Sequence, residues 1–247
     1  MVLLIFLVAM TYASVGHGGA SGYLAVMALV GGYLPAGMST SALVLNLLVA
    51  GTACLMFWRA GHGSFQLLWP FVVGSVPAAS VGGWLPVSSR TYGWLLAAAL
   101  LVAAVRLCLP AAAQAGMPAI QPAELLMRPR RSIGVVVGMG IGLLSGVVGV
   151  GGGIFLSPLM MLLRWADAKQ TAAASAGFIV ANSAAGLIGR FVAGRCAMGS
   201  LVPLVVAAFA GGVVGSRLGA NHFSGWWLRR LLAVVLVVAA GKLVMDG

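Results

Sequence analysis

The stretch SGVVGVGGGIFLSPLMML, residues 145–162, decides how this chain folds. It places four glycines within five positions, Gly149 and Gly151 to Gly153, in an apolar run with no charged side chain. Glycine in a helix interior costs about 1 kcal/mol relative to alanine. A chain that accepts four of them here is interrupting a helix. The apolar segment around them, 132–163, has a counterpart of similar length at 3–33. Unbroken, either would form a helix of ~45 Å, well beyond the ~30 Å hydrocarbon core of a bilayer. Each must tilt strongly or break, and the glycines favour a break.

A bilayer is implied by composition. The 247 residues are 62% apolar and 7% charged, with a mean hydropathy of +1.09. Soluble domains carry roughly 25% charged residues. No Asp, Glu, Lys or Arg occurs from Met1 to Trp58. The period-two alternation of a membrane β-barrel is missing. The chain carries 14 basic against 3 acidic residues. The basic ones sit singly or in pairs at the ends of apolar runs, as membrane anchors do, so nucleic acid is not the partner. Cys54, Cys108 and Cys196 lie far apart in apolar surroundings without metal-ligand spacing, and no histidine pair suits haem or metal, so no cofactor is expected. The apolar N-terminus lacks the basic start of a signal peptide and reads as a retained first span.

Eight apolar segments can be marked, approximately 3–33, 39–58, 65–86, 92–109, 132–163, 171–190, 199–219 and 226–245. A Pro-rich stretch from Pro110 to Ser132 holds most of the local charge and separates two halves. The halves repeat. Gly16, Gly18 and Gly19 match Gly149, Gly151 and Gly152 at a separation of 133, and Asn46 matches Asn182 at 136. Arg59-Ala-Gly-His-Gly-Ser parallels Arg195-Cys-Ala-Met-Gly-Ser at that same 136. The expected fold is therefore an all-α polytopic membrane protein of about eight transmembrane helices in two homologous four-segment halves. The first half is 1–109, the linker 110–131 and the second half 132–247, with the first helix of each half broken at a Gly-rich loop. Placing both termini on one side puts eight basic residues there against six. That weakly favours cytoplasmic termini, and a re-entrant hairpin would overturn the count.

Irregular backbone at membrane depth survives only where protein or a water-filled cavity covers it. A Gly-rich break leaves free N–H groups at the start of the next helix, the positive end of its dipole and a ready-made anion site. The candidate binding residues are Gly16, His17, Gly18 and Gly19 in the first cluster and Gly149, Gly151, Gly152 and Gly153 in the second. Ser157 could add a hydroxyl donor, and Pro158 falls early in the restarted helix. Asn46 and Asn182 could each donate an amide N–H to the anion; the alternative is that they hold helices together. His17 could make binding proton-dependent or act as a neutral donor. Ser39, Thr40 and Ser175 could cap helices. The competing reading of the glycines is close helix packing. Glu124, Asp167 and Asp246 all lie in loops or at the terminus, and the lack of intramembrane carboxylates argues against a cation carrier. An anion leaving a negative-inside cell gains about 2.3 kcal/mol per charge per 100 mV, so export could run without a coupling ion. Arg190 stands near a span end, where it could draw anions toward the pore.

On GVVGVGGGIFLSPLMML, the first-half copy GHGGASG and the ending VVGSRLGANHFSGWWLRRLLAVVLVVAAGKLVM, the chain resembles the TauE/SafE family of sulfite exporters over essentially its whole length. The resemblance implies a multi-pass permease of the bacterial inner membrane that moves sulfite, sulfonates or related organic anions. The first half departs from the pattern: Ala25 stands where the second half has Pro158, and His17 interrupts the glycines. The partners expected are a small anionic substrate and the lipid bilayer, with a homo-oligomer possible. Two other classes compete. GASG at Gly19 to Gly22, with HFSG at His222, matches short patterns of rhomboid intramembrane proteases, with Ser21 as nucleophile. An accessory subunit of a membrane complex would move nothing when purified alone.

Overall fold

The computed structural model of the chain describes residues 1–14, 16–30, 34–108, 131–163, 165–196, 201–221 and 226–245. No strand occurs among them. In chain order the helices are α1 (Val2–Ala13), α2 (Ala20–Val30), α3 (Pro35–Arg59), α4 (Phe65–Trp84), α5 (Ser89–Cys108), α6 (Arg131–Val148), α7 (Gly153–Leu162), α8 (Ala168–Val192), α9 (Val202–Asn221) and α10 (Trp226–Met245). Of the linker assigned to 110–131, all but Arg131 lies outside the described residues, as do His222 and Asp246.

Local chemistry sets the ends of the two central helices. Leu34 is extended, at φ −71° and ψ 148°, as a residue before proline must be, and Pro35 opens α3 with its φ already helical. The Asp167 carboxylate accepts the Gln170 N–H at 2.8 Å and caps α8. Four helical stretches among the described residues are long and apolar enough to cross a membrane: Gly37–Arg59, Phe65–Trp84, Arg131–Val148 and Lys169–Val192. At 12, 11 and 10 residues, α1, α2 and α7 are too short to cross on their own.

At each glycine cluster the chain turns back on itself instead of continuing as one interrupted helix. Tyr12 Oη and Ser21 Oγ share a hydrogen bond of 2.9 Å, and Gly22 lies against Val8, so α1 and α2 run antiparallel. In the second cluster Ile141 packs at Gly152, and Val137 and Ile141 join Leu156 and Met160 in one apolar cluster. The pairs α1–α2 and α6–α7 are helical hairpins whose tips are the glycines.

The hairpins point in opposite directions. Along α6, Gly134, Gly138, Gly142 and Gly146 press in order on Pro70, Phe71, Ser75 and Ala79, so α6 runs parallel to α4. A Cβ on any of the four would strike the facing helix, which is the close approach that a small-residue stripe permits. In the same way Gly211 and Gly215 of α9 press on Phe6 and Met10, so α1 runs parallel to α9. Because α4 and α9 run opposite ways, α1–α2 projects inward from one face of the molecule and α6–α7 from the other. The first face gathers the start of α1 and the ends of α2, α4, α8 and α10. Arg195 Nη1 donates to Leu85 O at 2.7 Å, and Lys242 Nζ to Ala28 O at 3.1 Å, across these ends. The opposite face gathers the starts of α4, α6 and α8, where Arg131 sits over the Trp69 ring and Trp165 against Phe71.

Candidate functional site

The two tips meet in the middle of the molecule, between α3 and α8. Gly16 and Gly19 have φ of 75° and 90°, and Gly149, Gly151 and Gly152 of 87°, 76° and 80°. A Cβ costs roughly 1–2 kcal/mol per residue in this left-handed region, which is why the turns are built of glycine. Tertiary space adds to the requirement. Gly16 presses on Ala172, Gly19 on Tyr23, Gly149 on Ser39 and Gly153 on Ile179.

Asn46 of α3 ties both tips together. Its Oδ1 accepts the N–H of Ala20, the first residue of α2, at 3.2 Å. Its Nδ2 donates to Val150 O of the second tip at 3.2 Å and to Ser183 Oγ at 3.4 Å. Gly18 and Gly151 flank its amide so closely that neither could carry a side chain. Asn46 is thus engaged by protein groups at both ends of its amide, and its place is that of a clamp. His17 fills the space beside it: its Nε2 lies 2.9 Å from Ser157 Oγ, which is 2.6 Å from Ser175 Oγ and donates toward Gly153 O at 2.9 Å. All three side chains are buried.

Asn182, the counterpart of Asn46, behaves differently. It is fully buried, and among the described residues both its Oδ1 and its Nδ2 are without a hydrogen-bond partner. It lies beside Gly152, where an added Cβ would come within 3.4 Å of Nδ2. Gly152 is the N-cap of α7, and it supplies no side-chain cap. The first N–H of α7 to find an acceptor is that of Phe155, which bonds Gly152 O at 3.1 Å. Those of Gly153 and Ile154 make no hydrogen bond among the described residues. An unpaired buried amide next to an uncapped helix start is a donor set without an acceptor. The cavity between the tips, lined by His17, Asn46, Val150 and Ile154 among others, measures about 10 Å³, the room of a single water. The tips are closed together.

A second cluster was not assembled from the sequence. Ser39 Oγ donates to Val148 O at 3.0 Å and to Tyr92 Oη at 2.9 Å, and Tyr92 Oη reaches Val148 O at 3.3 Å. Arg190 Nη2 donates to Gly146 O at 3.0 Å and to Val147 O at 2.8 Å. Together they satisfy the last carbonyls of α6, the negative end of its dipole. Arg195 does the same for α4, donating to the carbonyls of Gly83, Trp84 and Leu85. In the sequence Arg190 stands near a span end, as an anchor or a draw for anions, and Arg195 marks the repeat. Their targets, 43 or more positions away, carry no local signal. The protease pattern is not assembled by the described residues either: Ser21 hydrogen-bonds Tyr12, and His222 lies outside them.

The comparisons with known proteins point to a family of membrane transporters. A family model described as Sulfite exporter TauE/SafE matches residues 1–243. The chain is 35% identical over 239 residues to a probable membrane transporter protein, y4hK, of Sinorhizobium fredii, covering 97% of this chain and 95% of that protein. It is 27% identical over 116 residues to a probable membrane transporter protein, YunE, of Bacillus subtilis, covering 47% of this chain and 42% of that one. No solved structure matches.

Proposed function

This chain belongs to the TauE/SafE sulfite exporter family and is a multi-pass membrane protein, and from that premise we propose that it is a permease, working outward, for small oxyanions such as sulfite and short sulfonates. Its two halves, 1–109 and 132–247, are inverted repeats, each contributing a re-entrant hairpin and three crossing helices. The substrate is held where the hairpin tips meet. The reading is carried by one observation, the fully buried Asn182 amide without a partner beside the open N-terminus of α7. An anion there accepts from Asn182 Nδ2 and from the N–H groups of Gly153 and Ile154, and lies on the positive end of the α7 dipole.

The two half-sites contribute unequally. At the first tip the Asn46 amide already occupies the N–H of Ala20, so α2 has less to offer a ligand. At the second tip no group among the described residues accepts from the N–H groups of Gly153 and Ile154. Gly16, His17, Gly18 and Gly19 then form the wall opposite the anion, and Gly149 and Gly151 give the second tip its shape. His17, through Ser157, holds the start of α7 in position. The roughly single-water cavity represents the closed state, and one hairpin must shift for an oxyanion to be admitted.

Flux from liposomes loaded with sulfite, a short sulfonate or a carboxylate tests this reading. Sulfite and sulfonate efflux driven by an inside-negative potential is expected. Absence of all anion flux from well-reconstituted protein would falsify the permease assignment. Flux indifferent to the potential would remove the uncoupled mechanism.

A further inference from the structure

The face on which α1 begins and α10 ends carries a pocket of about 210 Å³ between the start of α3, the α4–α5 turn and the ends of α6 and α8. Ser39, Ser89, Tyr92, Val147, Arg190 and Arg195 are among its lining residues. Arg190 is buried, at 5% exposure, and its Nε is without a partner among the described residues. No carboxylate among the described residues offsets these guanidinium groups. The one acid among the described residues, Asp167, caps α8 at the opposite face. Among the described residues their only acceptors are backbone carbonyls, and a carbonyl dipole neutralises a full charge only in part. The floor of the pocket is the last turn of α6, directly below which lies the second glycine tip.

The hairpin geometry also assigns this face a side of the membrane. Among the described residues it carries Arg90, Arg190, Arg195 and Lys242, of which the last three donate to backbone carbonyls inside the protein. The opposite face carries Arg59, Arg106, Arg131, Lys169, Arg217, Arg229 and Arg230. The positive-inside rule makes that opposite face cytoplasmic. The sequence expectation of cytoplasmic termini is thereby reversed, because it took each glycine segment as a full crossing.

We propose that this pocket is the extracytoplasmic vestibule of the permeation path and binds small oxyanions through Arg190, with Arg195 and Tyr92 as further donors. The assignment of a path rests on the permease reading; the anion site itself does not. An oxyanion here accepts charge-assisted hydrogen bonds from groups that now hold the α6 carbonyls, and so competes with the latch on the second hairpin. The volume holds a pyramidal or tetrahedral oxyanion with some of its water, which the space between the tips does not.

Ser89 is exposed at the mouth and can be changed without touching the core. S89C, in a full-length chain with Cys54, Cys108 and Cys196 replaced by serine, is exposed to a membrane-impermeant anionic methanethiosulfonate reagent. Labelling is expected in intact cells and not in inverted vesicles, and sulfite or thiosulfate should slow it several-fold. S89D, which adds a negative charge at the mouth, should raise the half-saturating concentration of sulfite presented at this face about tenfold and leave the cytoplasmic value unchanged. Labelling confined to inverted vesicles overturns the assignment of sides. Labelling that no oxyanion slows, or an S89D half-saturation equal to that of the parent, overturns the anion vestibule. Oxyanion protection in a protein that passes no anion would keep the binding site and remove the permease reading.

Discussion

Asn46 and Asn182, which the proposed duplication pairs, have amides that do opposite things. Asn46 stabilises: replacing it with alanine leaves the Ala20 N–H and the Val150 carbonyl buried and unpaired. Thermal unfolding in detergent should show N46A destabilised by about 1–3 kcal/mol. Asn182 costs stability, because burying an amide without partners is unfavourable. N182L should therefore unfold at the same or a higher Tm than the parent and lose sulfite flux. An N182L protein that transports normally would remove Asn182 from the site. The pair itself was legible from its spacing of 136 residues. Which member is engaged was not, because the partners of Asn46 include Val150, 104 positions away. Arg190 was hidden for the same reason. Near a span end it looks like any interfacial anchor, and only the approach of the α6 terminus turns it into a carbonyl latch.

Among elements, the glycines divide into two kinds. Five at the tips, Gly16, Gly19, Gly149, Gly151 and Gly152, take positive φ, and G152A should lose about 1–2 kcal/mol from backbone strain at φ 80°. Those of α6 are ordinary helical residues pressed on α4. A Cβ at Gly138 would strike the Phe71 carbonyl, whereas one at Gly140 would meet nothing within 4 Å. G138A should therefore destabilise by about 1–3 kcal/mol through overpacking, with G140A neutral or slightly stabilising, as equilibrium unfolding would show. Close packing and helix interruption were offered by the sequence as rival explanations of glycine. Both operate, on different segments. The reversal of direction at the tips could not be read, because some 30 apolar residues have the same composition whether they pass through a bilayer or turn back. The approach of Ile141 to Gly152, and the apolar cluster that Val137 and Ile141 share with Leu156 and Met160, decide it.

At the scale of the molecule, a change of direction at two turns redistributes the whole charge pattern. Counting every apolar segment as a crossing gave eight basic residues against six and a weak preference for inward termini. With the hairpins the described residues divide seven to four the other way, and three of the four are spoken for by helix ends. The all-α class and the membrane setting were legible from composition, since nothing but lipid or buried contact accommodates 62% apolar residues at this length. Sidedness was not, because it depends on the parity of crossings. The opposed insertion of the two hairpins brings their ends together near mid-depth, and this has an electrical consequence. Under the proposed reading, a univalent ion resting there has traversed about half the transmembrane field, or ~1.2 kcal/mol per 100 mV. Apparent affinity measured from one compartment should then change about sevenfold per 100 mV, and in the reverse sense from the other compartment. Patch or vesicle recordings that find the same voltage-insensitive affinity on both sides would place the resting ion outside the field.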